Sequence, residues 1–179
     1  WMLDLVVEGL AIFGTSCEAY SLSVTEGKVL LEALLESGVP ASKLMPGTGA
    51  CSIIDAADLT AHAVSRGCGG VLMLPPFYYK AVDSDGLFAS FAEVIDRVAD
   101  DRLHVYLYHI PPVAQVPIGL DLIERLVQRY PDTVVGLKDS SGDWENTRAV
   151  LEGFPGFATF AGSESFLLDT LRGLSLIHI

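Results

Sequence analysis

Short apolar runs that alternate with amphipathic stretches constrain the fold of this chain most strongly. The runs begin about every 24 to 35 residues, which is the spacing of successive βα units with right-handed crossovers. They are continuously apolar, as expected for strands of a parallel sheet that is covered on both faces. The six predicted strands are residues 9–13, 44–46, 70–74, 105–108, 134–138 and 158–160.

The stretches between these runs predict helices. Ser23 and Glu26 have the spacing of a capping box and predict the start of the first helix. Asp55 is predicted to cap the second helix. Apolar residues at helical spacing between 87 and 98 and between 122 and 127 predict two more.

Six consecutive βα units fit two folds, a (βα)8 barrel and a doubly wound sheet. Both folds place their functional sites after the carboxyl ends of the strands. Polar and reactive side chains follow the ends of several runs here, namely Thr15, Thr48, Tyr78, Tyr108, Lys138 and Ser163. Barrels draw catalytic residues from several strand ends, so this distribution favours a barrel. A complete barrel usually needs about 250 residues, and the 179 residues here are short by about two units.

Charge and hydropathy restrict the partners that we expect. The chain carries 11 basic and 23 acidic residues, a net charge of −12, which opposes nucleic-acid binding. Half of its residues are apolar, yet no stretch reaches the roughly 20 apolar residues that span a bilayer. The sequence therefore predicts a single domain with neither nucleic-acid nor membrane partners.

Cysteine and histidine usage restricts the cofactors. The three cysteines show no C-x-x-C spacing, which predicts reduced thiols and a cytoplasmic location. The four histidines form no metal-ligand pattern, and no glycine-rich phosphate loop follows a strand. We therefore expect neither a metal nor another cofactor.

Lys138 is the most informative residue for function. It ends an apolar run and is followed at once by a polar turn. Lysine is rarely buried unless it has a partner or a function. A desolvated, neutral amine at the end of a barrel strand can attack a carbonyl group.

Four ordered motifs carry a family resemblance. They are Gly14-Thr15-Ser16-Cys17-Glu18, Pro76-Phe77-Tyr78-Tyr79, Tyr108-His109-Ile110-Pro111 and Gly136-Leu137-Lys138. With them the chain resembles the dihydrodipicolinate synthase / N-acetylneuraminate lyase family of class I, Schiff-base-forming aldolases. The resemblance implies an α/β fold, a (βα)8 TIM barrel truncated at both ends, with strands two to seven present in residues 1–174. Residues 175–179 break the preceding helical pattern, so we expect them to be a non-native tail.

The resemblance also implies roles for individual residues. Lys138 would form the Schiff base, and Tyr108 would shuttle protons. Thr15 and Ser16 would hold the carboxylate of a pyruvate-like 2-oxo acid, with Thr15 also relaying a proton. Tyr78 is the fourth catalytic residue that the resemblance implies. The family is commonly oligomeric, so we expect a homo-oligomer of the full-length protein.

The chain departs from the family pattern at three positions, and the third of them bears on the substrate. Cys17 stands where the family usually has glycine, and His109 where it usually has asparagine. Val113 stands where dihydrodipicolinate synthases place the arginine that holds the second substrate's carboxylate. This favours a lyase or aldolase for another 2-oxo acid over 4-hydroxy-tetrahydrodipicolinate synthase activity. The sequence is also compatible with an inactive barrel fragment and with a doubly wound ligand-binding domain without covalent chemistry.

Overall fold

A parallel sheet forms the centre of the molecule. The computed structural model describes residues 8–172. Four regular strands pair in parallel and in chain order, β1 next to β2, β2 next to β3 and β3 next to β4. Their bounds are Val71–Met73 for β1, Val105–His109 for β2, Val134–Asp139 for β3 and Ala158–Ala161 for β4.

The first two predicted strands are present only as isolated parallel bridges. Leu10 pairs with Leu44, and Gly47 pairs with Leu72 of β1. Pro46 faces β1 and has no N–H group, so it accepts a bond from the Leu72 N–H at 2.9 Å but donates none. Phe13 has a φ of 56°, which ends the first extended run. The two segments nevertheless continue the order of the sheet, so six parallel runs lie side by side.

Helices connect successive runs and cover the sheet. Their bounds are α1 Val24–Glu36, α2 Ile53–Ser65, α3 Ser84–Val98, α4 Pro111–Ala114, α5 Leu120–Arg129, α6 Trp144–Gly153 and α7 Leu167–Arg172. Both halves of the predicted capping box at Ser23 and Glu26 are present. The prediction for the cap of α2 is wrong. Ser52 caps this helix by accepting a hydrogen bond from the backbone N–H of Asp55 at 3.2 Å, while Asp55 lies within the first turn.

Two apolar layers pack on the opposite faces of the sheet. The outer layer joins strand residues such as Met73 and Leu107 to the inner faces of α1, α2, α3 and α5. Because successive side chains of a strand point to opposite faces, Leu72 and Tyr108 lie in the other layer. This second layer lies near the carboxyl ends of the strands, and its buried members are Met45, Leu72, Leu74, Tyr108, Ile110 and Ala114.

The strand order distinguishes between the two predicted folds. A doubly wound sheet reverses its strand order at a switch point, whereas a barrel adds each strand beside the previous one. The six runs here follow chain order without a reversal, so the sheet is part of a barrel wall. Within residues 8–172, no helix is both long and apolar enough to cross a bilayer. The predicted tail at residues 175–179 lies outside the described residues.

Candidate active site

Lys138 and Tyr108 lie side by side on neighbouring strands. They are direct partners in the parallel register of β2 and β3. Lys138 is half-buried, and its Nζ lies 4.8 Å from the centroid of the Tyr108 ring. Tyr108 itself is buried. The lysine amine therefore lies against an aromatic face at the carboxyl end of the sheet.

Thr15 reaches the same place from another loop. It begins a short 3-10 turn, Thr15–Cys17, directly after the first extended run. The Thr15 Oγ1 lies 3.2 Å from the Tyr108 hydroxyl oxygen, and either group can donate the hydrogen bond. Three of the predicted site residues thus come together. Ser16 is exposed in the same turn, one residue from this contact.

Tyr78 lies apart from this group. It follows β1 in the loop that leads to α3, and 74% of its surface is exposed. Its ring contacts the ring of Tyr79 edge-on, with the centroids 5.1 Å apart. Within the described part of the chain, no hydrogen bond joins Tyr78 to Lys138, Tyr108 or Thr15. Its catalytic role stays a prediction.

Asp139 fixes the loop that follows Lys138. Its buried carboxylate accepts hydrogen bonds from the backbone N–H of Ser141 at 2.9 Å and from Asn146 and Thr147, each at 2.8 Å. A buried charge needs such donors to offset its lost hydration. The network ties the end of β3 to the start of α6 and so limits the movement of the strand end that carries Lys138.

His109 is a structural residue beside the site. Its Nδ1 accepts a hydrogen bond from the backbone N–H of Ile118 at 3.0 Å. Burial lowers the pKa of His109 below its ordinary value, and the nearby Asp139 opposes that shift. The imidazole is therefore held in the neutral form that can accept this bond.

Sequence reasoning missed Tyr20. The Tyr20 hydroxyl donates to the carbonyl oxygen of Gly49 at 2.9 Å, and its ring meets the Phe77 ring edge-on at 4.6 Å. Burial of the hydroxyl raises the pKa of Tyr20, with smaller contributions from Cys51 and Tyr108. The contacts join three loops around the site. Its position two residues after the Gly14–Glu18 motif was the only signal in the sequence.

Candidate metal ligands and cavities are the other features of residues 8–172 that bear on a functional site. No group of three or more His, Cys, Asp or Glu side chains within residues 8–172 is placed to hold a metal ion. A surface groove of about 550 Å³ lies on the outer helices α2 and α3, where Ile53, Ser90 and Arg97 are among its lining residues. It is therefore separate from the strand ends that carry Lys138. All three cysteines are free thiols.

The arrangement of Lys138, Tyr108 and Thr15 suits one type of chemistry. An amine is a nucleophile towards carbonyl carbon, and the hydroxyl groups of a tyrosine and a threonine can bind and transfer protons. Tyr108 and Lys138 lie near the carboxyl ends of two strands and Thr15 in the loop after the first run. Catalytic groups in barrels usually come from the ends of several strands in this way.

Comparison with known proteins relates the chain to one family. The Dihydrodipicolinate synthetase family model matches residues 1–173. An uncharacterised DapA-like lyase of Chloroflexus aurantiacus is 34% identical over 173 residues, which are 97% of this chain and 57% of that protein. A 4-hydroxy-tetrahydrodipicolinate synthase of Thermus thermophilus is 34% identical over 164 residues, 91% of this chain and 54% of that protein.

A solved structure shows the same fold. The dihydrodipicolinate synthase of Agrobacterium tumefaciens superposes with a TM-score of 0.93 at 33% identity, covering 97% of this chain and 60% of that one. The fold is therefore that of a TIM barrel of which this chain spans part, as predicted, and the chain spans little more than half the length of the relatives it matches. The match over residues 1–173, together with the shared fold, shows that this chain belongs to the dihydrodipicolinate synthetase family.

Proposed function

We propose that the full-length protein is a lyase or aldolase that joins Lys138 to pyruvate or another 2-oxo acid as a Schiff base. The observation that carries this proposal is the Lys138 amine beside Tyr108, at the carboxyl ends of two adjacent strands. The names of the relatives, a lyase and a synthase, support the same class of reaction.

The reaction begins with attack of the neutral Lys138 amine on the C2 carbonyl carbon of the 2-oxo acid. A C–N bond forms, and the carbonyl oxygen leaves as water after taking up two protons. The resulting iminium withdraws electrons. In the cleavage direction the C3–C4 pair flows towards nitrogen, which leaves an enamine on Lys138 and releases an aldehyde. In the synthetic direction C3 loses a proton and attacks the aldehyde carbon.

Tyr108 and Thr15 would move the protons that these steps require. The Tyr108 hydroxyl would deliver a proton to the departing carbonyl oxygen and exchange one with the alkoxide of the aldehyde half. The Thr15 Oγ1, 3.2 Å from the Tyr108 hydroxyl oxygen, would exchange protons with Tyr108. Thr15 and Ser16 would bind the substrate carboxylate with their hydroxyls. Tyr78 remains the proposed fourth catalytic residue.

Val113 bears on the aldehyde half of the substrate. It lies in α4, just after the strand that carries Tyr108, and 59% of its surface is exposed. The two following residues, Ala114 and Gln115, carry no charge. An anionic second substrate would find an apolar side chain at this point. We therefore propose an aldehyde partner other than that of the lysine-pathway synthases.

The full-length protein is further proposed to be a cytoplasmic homo-oligomer. The exposure of Tyr78 and Tyr79 supports the formation of an oligomer, since both rings are about three-quarters exposed. Exposed tyrosines of this kind are enriched in protein–protein interfaces. Size-exclusion chromatography with light scattering tests the proposal, and a monomer at micromolar concentration would overturn it.

Borohydride trapping tests the covalent step. The assay protein is the full-length family chain that contains this sequence, incubated with pyruvate and then reduced. We expect an irreversible mass increase of one reduced pyruvate, which peptide mapping assigns to Lys138. The variant Lys138→Ala should lose the adduct, while the matched variant Lys28→Ala, which changes a helix lysine paired with Asp58, should keep it. An unmodified wild-type protein would favour the inactive alternative.

A further inference from the structure

Lys80 joins two loops at the carboxyl end of the sheet. It lies two residues after Tyr78 in the loop between β1 and α3. Its Nζ donates to the carbonyl oxygen of Ala114 at 2.8 Å and also to the carbonyl oxygen of Phe77. Because Ala114 ends α4, the Lys80 ammonium connects the loop after β1 to the loop after β2.

The partners of this ammonium are unusual for a surface lysine. Lys28 pairs with Asp58 at 2.6 Å, and Lys43 pairs with Glu8 at 3.6 Å. Lys80 has no carboxylate partner among residues 8–172, and the contacts of its ammonium are the two backbone carbonyls. Holding a long side chain in one geometry costs side-chain entropy. A lysine bound in this way therefore fixes backbone rather than neutralising a nearby acid.

Both ends of the connection adjoin a backbone position of unfavourable geometry. Ala81, directly after Lys80, has a φ of 56°, and Gln115, directly after Ala114, has a φ of 54°. Residues other than glycine adopt this left-handed conformation only where the surrounding structure holds them there. The bond from Lys80 to Ala114 joins these two turns, and Gln115 is also held by the bond from its own N–H to the Pro111 carbonyl oxygen at 2.9 Å, which ends α4.

The connection continues towards the other loops of the site. The Phe77 ring contacts Tyr20, whose hydroxyl binds the carbonyl oxygen of Gly49. Phe77 also packs on the apolar layer that contains Tyr108. These contacts join four loops in turn, those that carry Gly49, Tyr20, Phe77 and Ala114. The bond from Lys80 to Ala114 is the last contact in this series.

We propose that Lys80 is a positioning residue, whose ammonium fixes the 75–83 loop and with it the backbone that carries Tyr78. The inference rests on the proposed function, because the role of Tyr78 comes from it. Lys80 lies two positions after Tyr78 in the sequence and touches no reacting atom, so its role is additional to those of the proposed catalytic residues. Misplacing a catalytic group by about 1 Å can cost about 100-fold in rate.

The first test separates positioning from folding. In the assay protein, Lys80→Met should lower kcat for the complete carbon–carbon reaction by about 10- to 100-fold. The extent of pyruvate trapping at Lys138 should stay within about twofold of the wild-type value, because Lys138 lies on β3 and its own surroundings are intact. Lys80→Arg can still donate to both carbonyls and should restore most of kcat. Lys28→Met, a matched loss of a surface lysine, should have no effect on kcat.

A double-mutant cycle with Tyr78→Phe tests whether Lys80 acts through Tyr78. If it does, Lys80→Met should slow the Tyr78→Phe protein by less than about threefold, because the group that it positions is already absent. Additive losses would overturn the proposal, as would a Lys80→Met protein with wild-type kcat or one that loses pyruvate trapping in parallel. Failure of the wild-type protein to trap pyruvate would instead contradict the proposed function, and the role of Lys80 would then have no basis.

Discussion

The hydroxyl oxygens of Thr15 and Tyr108 lie 3.2 Å apart, although 93 residues separate them in the sequence. Tyr108 is buried on a regular strand, while Thr15 lies in an exposed turn. The pair therefore links a buried phenol beside Lys138 to a hydroxyl at the surface of the site. A proton that enters or leaves through Thr15 can pass to the group nearest the proposed Schiff base.

Tyr108→Phe should slow turnover more than it weakens substrate binding. The ring keeps its packing, and only the hydroxyl that moves the proton is lost. General acid–base groups contribute about 10²- to 10⁴-fold, so we expect kcat to fall by that factor with little change in KM. Steady-state kinetics measures both, and borohydride trapping checks that Lys138 still reacts. An unchanged kcat would show that another group, such as Tyr78, moves the proton.

Thr15→Val should lower kcat by about 100-fold, because it removes a hydroxyl that binds developing charge and leaves Tyr108 without its partner. Thr15→Ser keeps the hydroxyl and should restore most of kcat. The loss in a Thr15→Val/Tyr108→Phe protein should be smaller than the sum of the two single losses, since the residues act as a unit. Independent, additive losses would contradict the proposed relay.

The strands of the sheet were predictable because their signal is local. The runs that became β1, β2 and β3 are mostly buried on both faces, as their apolar sequences indicate. In β4 buried residues alternate with half-buried ones. The first two runs pair in parallel at the predicted places, though only as isolated bridges. Phe13 turns into the left-handed region at the end of the first run, and Pro46 in the second has no N–H to donate.

The contacts of the site were less predictable. The resemblance named Lys138, Tyr108 and Thr15, but their juxtaposition depends on the register between β2 and β3, which shifts at Val105 and Tyr106. Parallel strands are joined by a long crossover, so no short turn fixes which residues of β2 and β3 face each other. Lys80 was missed for the same reason, because its partner Ala114 lies 34 residues away.

Asp139→Asn should destabilise the folded protein by about 1–3 kcal/mol. The amide replaces one accepting oxygen with a donor. Either the Ser141 N–H then loses its acceptor, or Asn146 and Thr147, which share the other oxygen, both lose theirs. Urea unfolding followed by circular dichroism measures the change. Asp143→Asn is the matched control, since Asp143 is the exposed cap of α6 and asparagine caps equally well. Equal effects of the two variants would contradict the special role of Asp139.

His109 should make stability depend on pH. Its folded-state pKa lies below the ordinary 6.5, so the unfolded chain takes up a proton first as pH falls. The contribution of neutral His109 to stability is fully present above pH 6.5 and is lost as pH falls through the folded-state pKa. His109→Asn keeps an acceptor for the Ile118 N–H but cannot titrate.

Unfolding free energies measured between about pH 8 and the acid limit of folding test this expectation. The curve for His109→Asn should fall less steeply below pH 6.5 than the wild-type curve. His104→Asn, a change at an exposed histidine, is the control and should leave the slope as it is. Superimposable curves for His109→Asn and the wild type would show that burial of this imidazole does not govern acid stability.

The final prediction concerns the aldehyde half of the substrate. Val113 presents an exposed apolar side chain just after the strand of Tyr108, where a carboxylate on the second substrate would need a cation. The assay protein should therefore turn over aspartate semialdehyde with pyruvate poorly.

Val113→Arg should raise kcat/KM for that aldehyde by about tenfold or more, because a hydrogen bond between charged groups contributes about 1.5–3 kcal/mol. Arginine can also bind a carboxylate through two parallel hydrogen bonds. Val113→Leu changes size without charge and should give no gain, and uncharged aldehydes should gain nothing from the arginine. Efficient turnover of aspartate semialdehyde by the unchanged protein would show that a cation elsewhere in the full-length chain binds the carboxylate, and the distinction drawn from Val113 would fall.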